Sequence, residues 1–167
     1  RRGVVRKNIV TIIDYSRPAT DKRLWVMNAE TKEILLHERV AHGKNSGWNY
    51  TTSFSNKKES LRTSLGIFRA AEQYTGRHGL SVRLDGLELG FNHNARDRAI
   101  VIHGASYAEK FFHNKKKGKR LGRSWGCPAV RRKIAPELVK LIKGGTLVVA
   151  YAKNDRWLKR SKYLNCR

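Results

Sequence analysis

The sequence predicts a mainly β domain, built as a barrel or sandwich, with two short helices and the functional loops at one end. Three observations support this fold class. Several short runs are rich in β-branched and aromatic residues, and turn-forming residues separate them. Only two stretches show an amphipathic helical pattern. The chain of 167 residues has the size of one domain and shows no internal repeat.

We therefore interpret residues 1–167 as a single domain, with a basic leader at residues 1–7 and a tail at residues 153–167. The tail carries Trp157, Leu158, Tyr163 and Leu164 at a spacing that predicts packing back onto the body. No apolar run approaches the roughly 18 residues that a membrane span requires. The chain also shows no signal-peptide pattern, so we expect that any export signal was removed or left out.

The first half of the chain predicts a meander of antiparallel strands followed by a loop. Strands are predicted at residues 9–14, 24–28 and 34–40, with turn residues between them. Residues 41–56 form a long polar segment that contains Trp48 and Tyr50, and a loop of that length is typical of a functional flap. We expect His42, in this loop, to be exposed to solvent.

The second half predicts three more strands, two helices and a closing strand. Strands are expected at residues 65–68, 81–84 and 99–102, and the last of these is a continuous apolar run that ends at His103. The apolar spacing predicts a short helix at residues 106–114, followed by an exposed basic loop at 115–120. A second helix is expected at residues 134–142, with Pro136 near its start and Gly144-Gly145 ending it, and a closing strand at 146–150.

Cys127 and His103 are the candidate catalytic residues. Cys127 stands between Gly126, which has no side chain, and Pro128, which has no backbone N–H, so the sulfur is held on a tight turn. His103 lies 24 residues earlier, at the end of a predicted strand. A cysteine nucleophile and its general base produce such a pattern. The alternatives are an inert buried cysteine and a zinc site formed with His93, for which the usual ligand spacing is missing.

The charge is concentrated around and after the cysteine. The formal net charge is +23, and residues 111–167 hold 17 basic and two acidic residues. A positive field favours anionic partners, and it would lower the pKa of the Cys127 thiol if Lys119, Arg120 or Arg123 lay close. The alternative interpretation is a solvated basic face.

Several segments resemble the murein L,D-transpeptidase catalytic domain family. The similarity covers roughly positions 8 to 164, and it is carried by HGASY, GRSWGCPAV, TSLGIFRAAEQYTGRHG, LSVRLDGLELGFN, ARDRAIVIHG and RVAHGKNSG. The commoner branch of the family has the motif SHGC. This chain has SWGC, with Trp125 at the position of that histidine. The resemblance implies the same β-rich fold and an acyl transfer through a thioester.

The expected roles follow from that chemistry. Cys127 attacks as a thiolate, and His103 accepts its proton and later gives one to the leaving amine. The resemblance implies that a backbone carbonyl near Gly104 orients His103. The remaining site residues are assigned to the oxyanion and the turn, or to substrate binding. We assign the N–H groups of Gly126 and Cys127 to the oxyanion, Ser124 to the turn or to a direct substrate contact, and Gly104, Arg98, Arg123 and Trp125 to substrate binding.

Two interpretations of Arg98 are open. It either forms a weak surface ion pair with its neighbour Asp97, or its guanidinium grips a substrate carboxylate at the mouth of the site.

The resemblance also implies the substrate. Family members take the acyl group of the third residue of a peptidoglycan tetrapeptide stem, release D-alanine, and pass the acyl group to an amine, which forms 3–3 cross-links, or to water. An L,D-carboxypeptidase or amidase is therefore an open alternative. We expect no cofactor and no metal, a monomer in the periplasm or cell envelope, and anionic cell-wall polymers as a further partner.

A basic module that binds polyanions or nucleic acid is a more distant alternative, because four Trp and six Tyr accompany the charge. The sequence contains no recognised nucleic-acid motif, so we expect no specific nucleic acid. This interpretation also leaves Cys127 and His103 without a role.

Overall fold

The computed structural model describes residues 7–165. The predicted leader, apart from Lys7, lies outside the described residues, and so does Cys166. The predicted fold class is confirmed: the structure is mainly β, with a nearly closed sheet and two α-helices in the described part of the chain. The helices are α1 (Ala135–Ile142) and α2 (Asp155–Arg160).

Within residues 7–165, eight strands form one sheet in the order β3-β2-β1-β10-β4-β5-β6-β9, and β7 and β8 form a separate hairpin. The strands are β1 (Ile9–Asp14), β2 (Leu24–Asn28), β3 (Ile34–Glu38), β4 (Gly66–Gly76), β5 (Gly79–Gly86), β6 (Val101–Gly104), β7 (Phe111–Asn114), β8 (Gly118–Leu121), β9 (Ala129–Val130) and β10 (Thr146–Tyr151). Most pairs are antiparallel, but β1 with β10 and β6 with β9 are parallel.

Helix α1 fills the inside of the curved sheet. Its apolar face, formed by Leu138, Val139 and Ile142, is completely buried, and the helix contacts β5 and β6 on one side and β1 and β2 on the other. The N–H groups of Gly144 and Gly145, just after the helix, donate to carbonyls of β4. The helix therefore joins the two arms of the sheet. No helix in the described part of the chain is long and apolar enough to cross a membrane.

The two edges of the sheet meet at a seam, which we define as the contact between residues 41–44 and residues 124–129. The Ala41 N–H donates to the Ala129 carbonyl at 2.8 Å, and the Ser124 N–H donates to the His42 carbonyl at 2.9 Å. The Lys44 N–H in turn donates to the Ser124 carbonyl at 2.7 Å. The chain that leaves edge strand β3 thus bonds to the chain that enters edge strand β9.

The predicted helix at residues 106–114 is wrong. One 3-10 turn, Ser106–Ala108, is followed two residues later by β7. The predicted basic loop at 115–120 includes the turn of the β7–β8 hairpin and most of β8. The apolar spacing misled because Phe111 and Phe112 do not enter the core and stay about 40% exposed. The Lys119 ammonium lies 4.1 Å from the Phe111 ring, and the Arg120 guanidinium lies 4.7 Å from the Phe112 ring. Cations therefore cover these rings where a helix would have buried them.

The β4–β5 hairpin is much longer than the strands predicted at 65–68 and 81–84. Polar and charged residues in its outer half hide it from a search for apolar runs, since this part of the hairpin extends beyond the core. Its tip is the two-residue turn Arg77-His78 between the paired Gly76 and Gly79.

The tail contains α2, which the sequence did not predict. Trp157 of this helix is completely buried, Leu158 is partly buried, and Tyr163 and Leu164 are nearly half exposed. The Trp157 Nε1–H donates to the buried Glu88 carboxylate at 2.8 Å, and the same carboxylate oxygen accepts the Ile67 N–H at 2.7 Å.

The Trp157→Phe variant tests how firmly the tail is attached. We expect the free energy of unfolding to fall by about 1–3 kcal/mol, because a buried carboxylate loses a hydrogen-bond donor. Urea denaturation would measure this change. Trp125→Phe is the matched control: Trp125 is 70% exposed, so its substitution should change stability by less than about 0.5 kcal/mol. Equal effects of the two variants would contradict the prediction.

Candidate active site

Cys127 and His103 line the same cavity, which has a volume of about 670 Å³. Its wall includes two tyrosines, a second histidine and three arginines. These residues are Tyr74, Tyr107, His78, Arg77, Arg98 and Arg123. Among the described residues, none of those lining the cavity is acidic, so its wall carries only positive charge.

The parallel pairing of β6 with β9 brings the two residues together. His103, in β6, is aligned with Ala129 at the start of β9, and Cys127 lies two residues before Ala129. The His103 N–H donates to the Pro128 carbonyl at 3.4 Å. The histidine and the turn that carries the cysteine therefore lie side by side at one edge of the sheet.

His103 is buried, and its tautomer is determined by its neighbour. Its Nδ1–H donates to the Gly104 carbonyl at 2.9 Å, which leaves Nε2 as the acceptor, 3.5 Å from the Tyr107 hydroxyl. The His78 ring stacks on it with centroids 4.3 Å apart. Burial, together with the charges of His78 and Arg77, lowers the pKa of His103. At neutral pH this imidazole is therefore uncharged and able to accept a proton.

The Cys127 sulfur is partly buried and held by backbone groups. The Val101 N–H donates to Sγ at 3.5 Å, and the thiol donates to the Ala99 carbonyl at 3.6 Å. Ala99 has a left-handed φ of 52°, which is uncommon for a residue with a side chain and turns its carbonyl towards the sulfur. Neither of these hydrogen bonds involves His103, so a proton transfer between the two side chains requires rotation of the thiol or a bridging water.

The pKa of the Cys127 thiol is raised, so the conditional lowering by a nearby basic residue does not apply. Burial raises the pKa of the thiol, and this effect outweighs the opposing effects of the Val101 N–H and of the charges of Arg98 and Arg77. Lys119, Arg120 and Arg123, which would have lowered this pKa if they had lain close to the sulfur, do not contribute to the balance. The resting site therefore holds a neutral thiol beside a neutral imidazole.

Ser124 stabilises the turn that carries the cysteine. Its hydroxyl donates to the Cys127 carbonyl at 2.6 Å and accepts the Gly126 N–H at 3.0 Å. Gly126 has φ +130°, and a Cβ there would lie 3.0 Å from the Arg62 carbonyl oxygen, so only glycine suits this position. The Gly126 N–H, which we expected to bind an oxyanion, is thus already engaged. The Cys127 N–H donates to no acceptor among residues 7–165.

Arg98 lines the cavity, but its guanidinium is committed to the protein. One terminal nitrogen donates to the Ser55 carbonyl and the other to the Arg62 carbonyl, each at 2.7 Å. The hydroxyls of Ser60 and Ser64 accept two further bonds. Arg98 therefore holds residues 55–64 against the site. Arg98 forms no ion pair with Asp97, and its terminal nitrogens already bind the protein instead of being free for a substrate carboxylate.

Arg123 is committed to the protein through one of its terminal nitrogens. Its Nη1 donates to the carbonyls of Lys44 and Gly47, both at 2.9 Å, and its guanidinium lies 5.1 Å from the centroid of the Trp48 ring. Arg120 contacts the same ring at 4.4 Å. Arg123 thus holds the loop at residues 44–47, next to the seam, from its exposed side.

Arg23 fastens the same loop from inside. It is completely buried, and it donates to the Val40 carbonyl and, at 2.8 Å, to His42 Nδ1. A guanidinium only donates, so His42 carries its proton on Nε2 and donates it to the Gly47 carbonyl at 3.4 Å. The expectation that His42 is exposed is wrong: burial and the Arg23 charge lower its pKa to about 3.

The remaining predicted residues have separate positions. Trp125 lines the cavity but is 70% exposed. Gly104 lines an adjoining cavity, and a Cβ on it would lie 3.0 Å from Ala135 at the start of α1. His93 accepts hydrogen bonds from Gly90 and Asn56. Within residues 7–165, no group of three His, Cys, Asp or Glu side chains is arranged to hold a metal.

Sequence reasoning missed Arg77, His78 and Tyr107 as cavity residues. The glycines on either side of Arg77-His78 indicate a turn, but no local signal shows that this turn reaches the cavity. The apolar pattern assigned Tyr107 to a helix that does not form.

Comparison with known proteins gives one family match and several structural ones. The family of the L,D-transpeptidase catalytic domain matches residues 2–151. The comparison with curated protein sequences finds no match. Similar solved structures include an L,D-transpeptidase from Mycobacterium smegmatis, with 12% identity and a TM-score of 0.51 over 89% of this chain and 59% of that chain.

Two further structures are a cysteine-to-serine mutant of the Enterococcus faecium L,D-transpeptidase (12% identity, TM-score 0.53, 88% of this chain and 50% of that chain) and the L,D-transpeptidase LdtMt1 in complex with imipenem (13% identity, TM-score 0.51, 86% and 58%). At these identities the likeness shows the fold. This chain spans 50 to 59% of the length of the three chains.

The pH dependence of stability tests the buried His42. The free energy of unfolding should decrease as the pH falls below about 6.5, because the unfolded chain then binds a proton that folded His42, with a pKa of about 3, does not bind. His42 contributes at most about 1.4 kcal/mol per pH unit, and His103, whose folded pKa is also lowered, acts in the same direction. Urea denaturation between pH 7 and pH 5 measures the slope.

The His42→Gln variant keeps a neutral acceptor and donor, so it should show a flatter decline than the wild type. His113→Gln, at an exposed position on β7, is the matched control and should keep the wild-type slope. An unchanged slope in His42→Gln would show that His42 is not the buried titrating group.

Proposed function

This chain belongs to the L,D-transpeptidase catalytic domain family, and we propose that it is a peptidoglycan L,D-transpeptidase that acts by cysteine acyl transfer. The observation that carries the proposal is the single cavity lined by Cys127 and His103, in which the proton on His103 Nδ1 is held by the Gly104 carbonyl and Nε2 is left as a base. The donor is a tetrapeptide stem, and the bond that breaks joins its third residue to the terminal D-alanine.

In the first half-reaction, His103 Nε2 takes the proton of the Cys127 thiol, and the sulfur attacks the carbonyl carbon of the third residue. The unpaired Cys127 N–H stabilises the oxyanion that develops. When the C–N bond breaks, His103 returns the proton to the departing D-alanine amine, and a thioester remains. The raised pKa of the thiol and the lowered pKa of His103 mean that this transfer occurs during attack, since no ion pair forms beforehand.

In the second half-reaction, an acceptor amine attacks the thioester and forms a new amide, and His103 accepts the proton that the amine loses. The C–S bond breaks, and the sulfur regains a proton from His103. A second cavity of about 510 Å³ shares Arg77, His78 and Tyr107 with the first. This adjoining space supports a bound acceptor and therefore transfer over hydrolysis. With water as the acceptor, the same steps give an L,D-carboxypeptidase.

The site of action that fits this substrate is the cell envelope. The β7–β8 hairpin adds a basic surface to the edge of the domain, and Lys117 and Arg120 both lie against the Trp48 ring. Among the described residues, no salt bridge involves any lysine or arginine of residues 110–130. This free charge supports anionic cell-wall polymers as a further partner.

Cys127→Ala and His103→Ala should each abolish turnover of purified tetrapeptide muropeptides, because each removes a group that forms or cleaves the thioester. Circular dichroism should show a native fold in both variants. Chromatography of the products, with and without an added amine, separates transfer from hydrolysis. His113→Ala, outside the cavity, is the matched control and should keep full turnover; retained turnover in either cavity variant would overturn the assignment.

A carbapenem should acylate Cys127 and not Cys166. The sulfur attacks the β-lactam carbonyl, the ring C–N bond opens, and the ring nitrogen takes a proton, as in the first half-reaction. Mass spectrometry of the digested protein after incubation with imipenem would locate the adduct. An adduct on the Cys166 peptide, or none on the Cys127 peptide, would count against the proposed nucleophile.

A further inference from the structure

Among the described residues, Arg77 is the arginine of the catalytic cavity whose two terminal nitrogens are both free. Both terminal nitrogens of Arg98 donate to carbonyls and hydroxyls of the protein, and one terminal nitrogen of Arg123, Nη1, donates to two carbonyls. Arg77 is exposed at the tip of the β4–β5 hairpin, and its Nε donates to His78 Nε2 at 3.2 Å. Its two terminal nitrogens bind no acceptor within residues 7–165. They are therefore available to a ligand in the cavity.

The hairpin tip places this guanidinium next to the reacting groups. His78, the hydrogen-bond partner of Arg77, stacks on His103 at 4.3 Å. The charge of Arg77 also acts on both His103 and Cys127, which requires that it lie near both side chains. Because the lining of the cavity holds no carboxylate, no internal anion competes for this guanidinium.

An anion bound there would have a defined position in the substrate. In a peptide whose last residue leaves, the terminal carboxylate is only two bonds from the nitrogen of the bond that breaks. A guanidinium beside the sulfur and the imidazole is therefore within reach of that carboxylate, and its planar fork matches the two carboxylate oxygens.

We propose that Arg77 binds the terminal carboxylate of the leaving residue, so that the site selects donor peptides with a free C-terminus directly after the bond that breaks. This inference rests on the proposed function, since it assigns specificity within the same cavity. Arg77 takes the role of carboxylate clamp that the sequence suggested for Arg98, whose terminal nitrogens are both engaged. His78 positions it through the Nε hydrogen bond.

Binding to the Cys127→Ala protein tests the proposal without turnover. The probes are a synthetic tetrapeptide stem that ends in D-alanine and the same peptide with a terminal carboxamide, and calorimetry measures both affinities. We expect the acid to bind about 10- to 100-fold more tightly than the amide, as a charged hydrogen-bonded pair predicts. In the Cys127→Ala protein, the additional change Arg77→Gln should reduce the affinity for the acid to that for the amide. The affinity for the amide should remain nearly unchanged.

Arg77→Lys keeps the charge and loses the fork, so it should restore part of the preference for the acid. Lys153→Gln removes one charge from an exposed residue that does not line the cavity, so it controls for the general loss of positive charge and should keep the full preference. A preference that survives Arg77→Gln, equal losses for acid and amide, or no binding of either peptide would overturn the proposal.

Turnover by the otherwise unmodified enzyme separates this inference from the proposed function. The Arg77→Gln variant should raise KM for the acid substrate with little change in kcat, because the carboxylate is bound alike in the ground state and in the transition state. If acid and amide differ in binding but neither is turned over by the wild type, the proposed function fails and the carboxylate site stands. If the wild type turns over both the acid and the amide, and Arg77→Gln changes neither the ratio of their affinities nor the ratio of their KM values, only the carboxylate site fails.

Discussion

The parallel pairing of β6 with β9 is the constraint on which the candidate active site depends. It aligns His103 with Ala129 and so places an imidazole beside a turn that lies more than 20 residues further along the chain. A two-residue strand cannot maintain this alignment alone. The seam, where residues 41–44 bond to residues 124–129, supports β9 from its other side. The contacts that close the sheet are thus also the contacts that hold the site together.

Many of the arginine side chains near the site donate hydrogen bonds to backbone carbonyls of the protein and so are not free for a ligand. The segments around the cavity, residues 41–64, contain only one short 3-10 turn, so many of their carbonyls lack partners from secondary structure. Arg23, Arg98 and Arg123 supply donors to these carbonyls, and a guanidinium has enough N–H groups to serve several at once. Arg23 does so while completely buried, without a carboxylate partner among the described residues. Loops without regular structure are held in one conformation by this means.

Burial determines the resting charge of the reacting pair. The thiol lies in a positive field, which by itself favours the thiolate, but desolvation raises the pKa of Cys127 and lowers the pKa of His103. Both groups therefore rest uncharged. Exclusion of water by a ligand would disfavour an ion pair still further, so in the proposed mechanism the proton moves from the sulfur to His103 Nε2 during the attack itself. The hydrogen bond between His103 and Gly104 prepares this step because it leaves Nε2 as the acceptor in advance.

The sequence by itself determined the features that depend on local chemistry. Residue type and periodicity predict the tight turn at Gly126-Cys127-Pro128, the strands at residues 9–14 and 24–28, and the helix that has Pro136 in its first turn. Only the tertiary structure decided that Phe111 and Phe112 lie on a surface hairpin, that His42 is buried against Arg23, that Arg98 and Arg123 serve the backbone, and that the tip at Arg77-His78 reaches the cavity. The physical reason is that periodicity is a property of neighbouring residues, whereas hydrogen-bond partners and desolvation depend on which distant segments pack together.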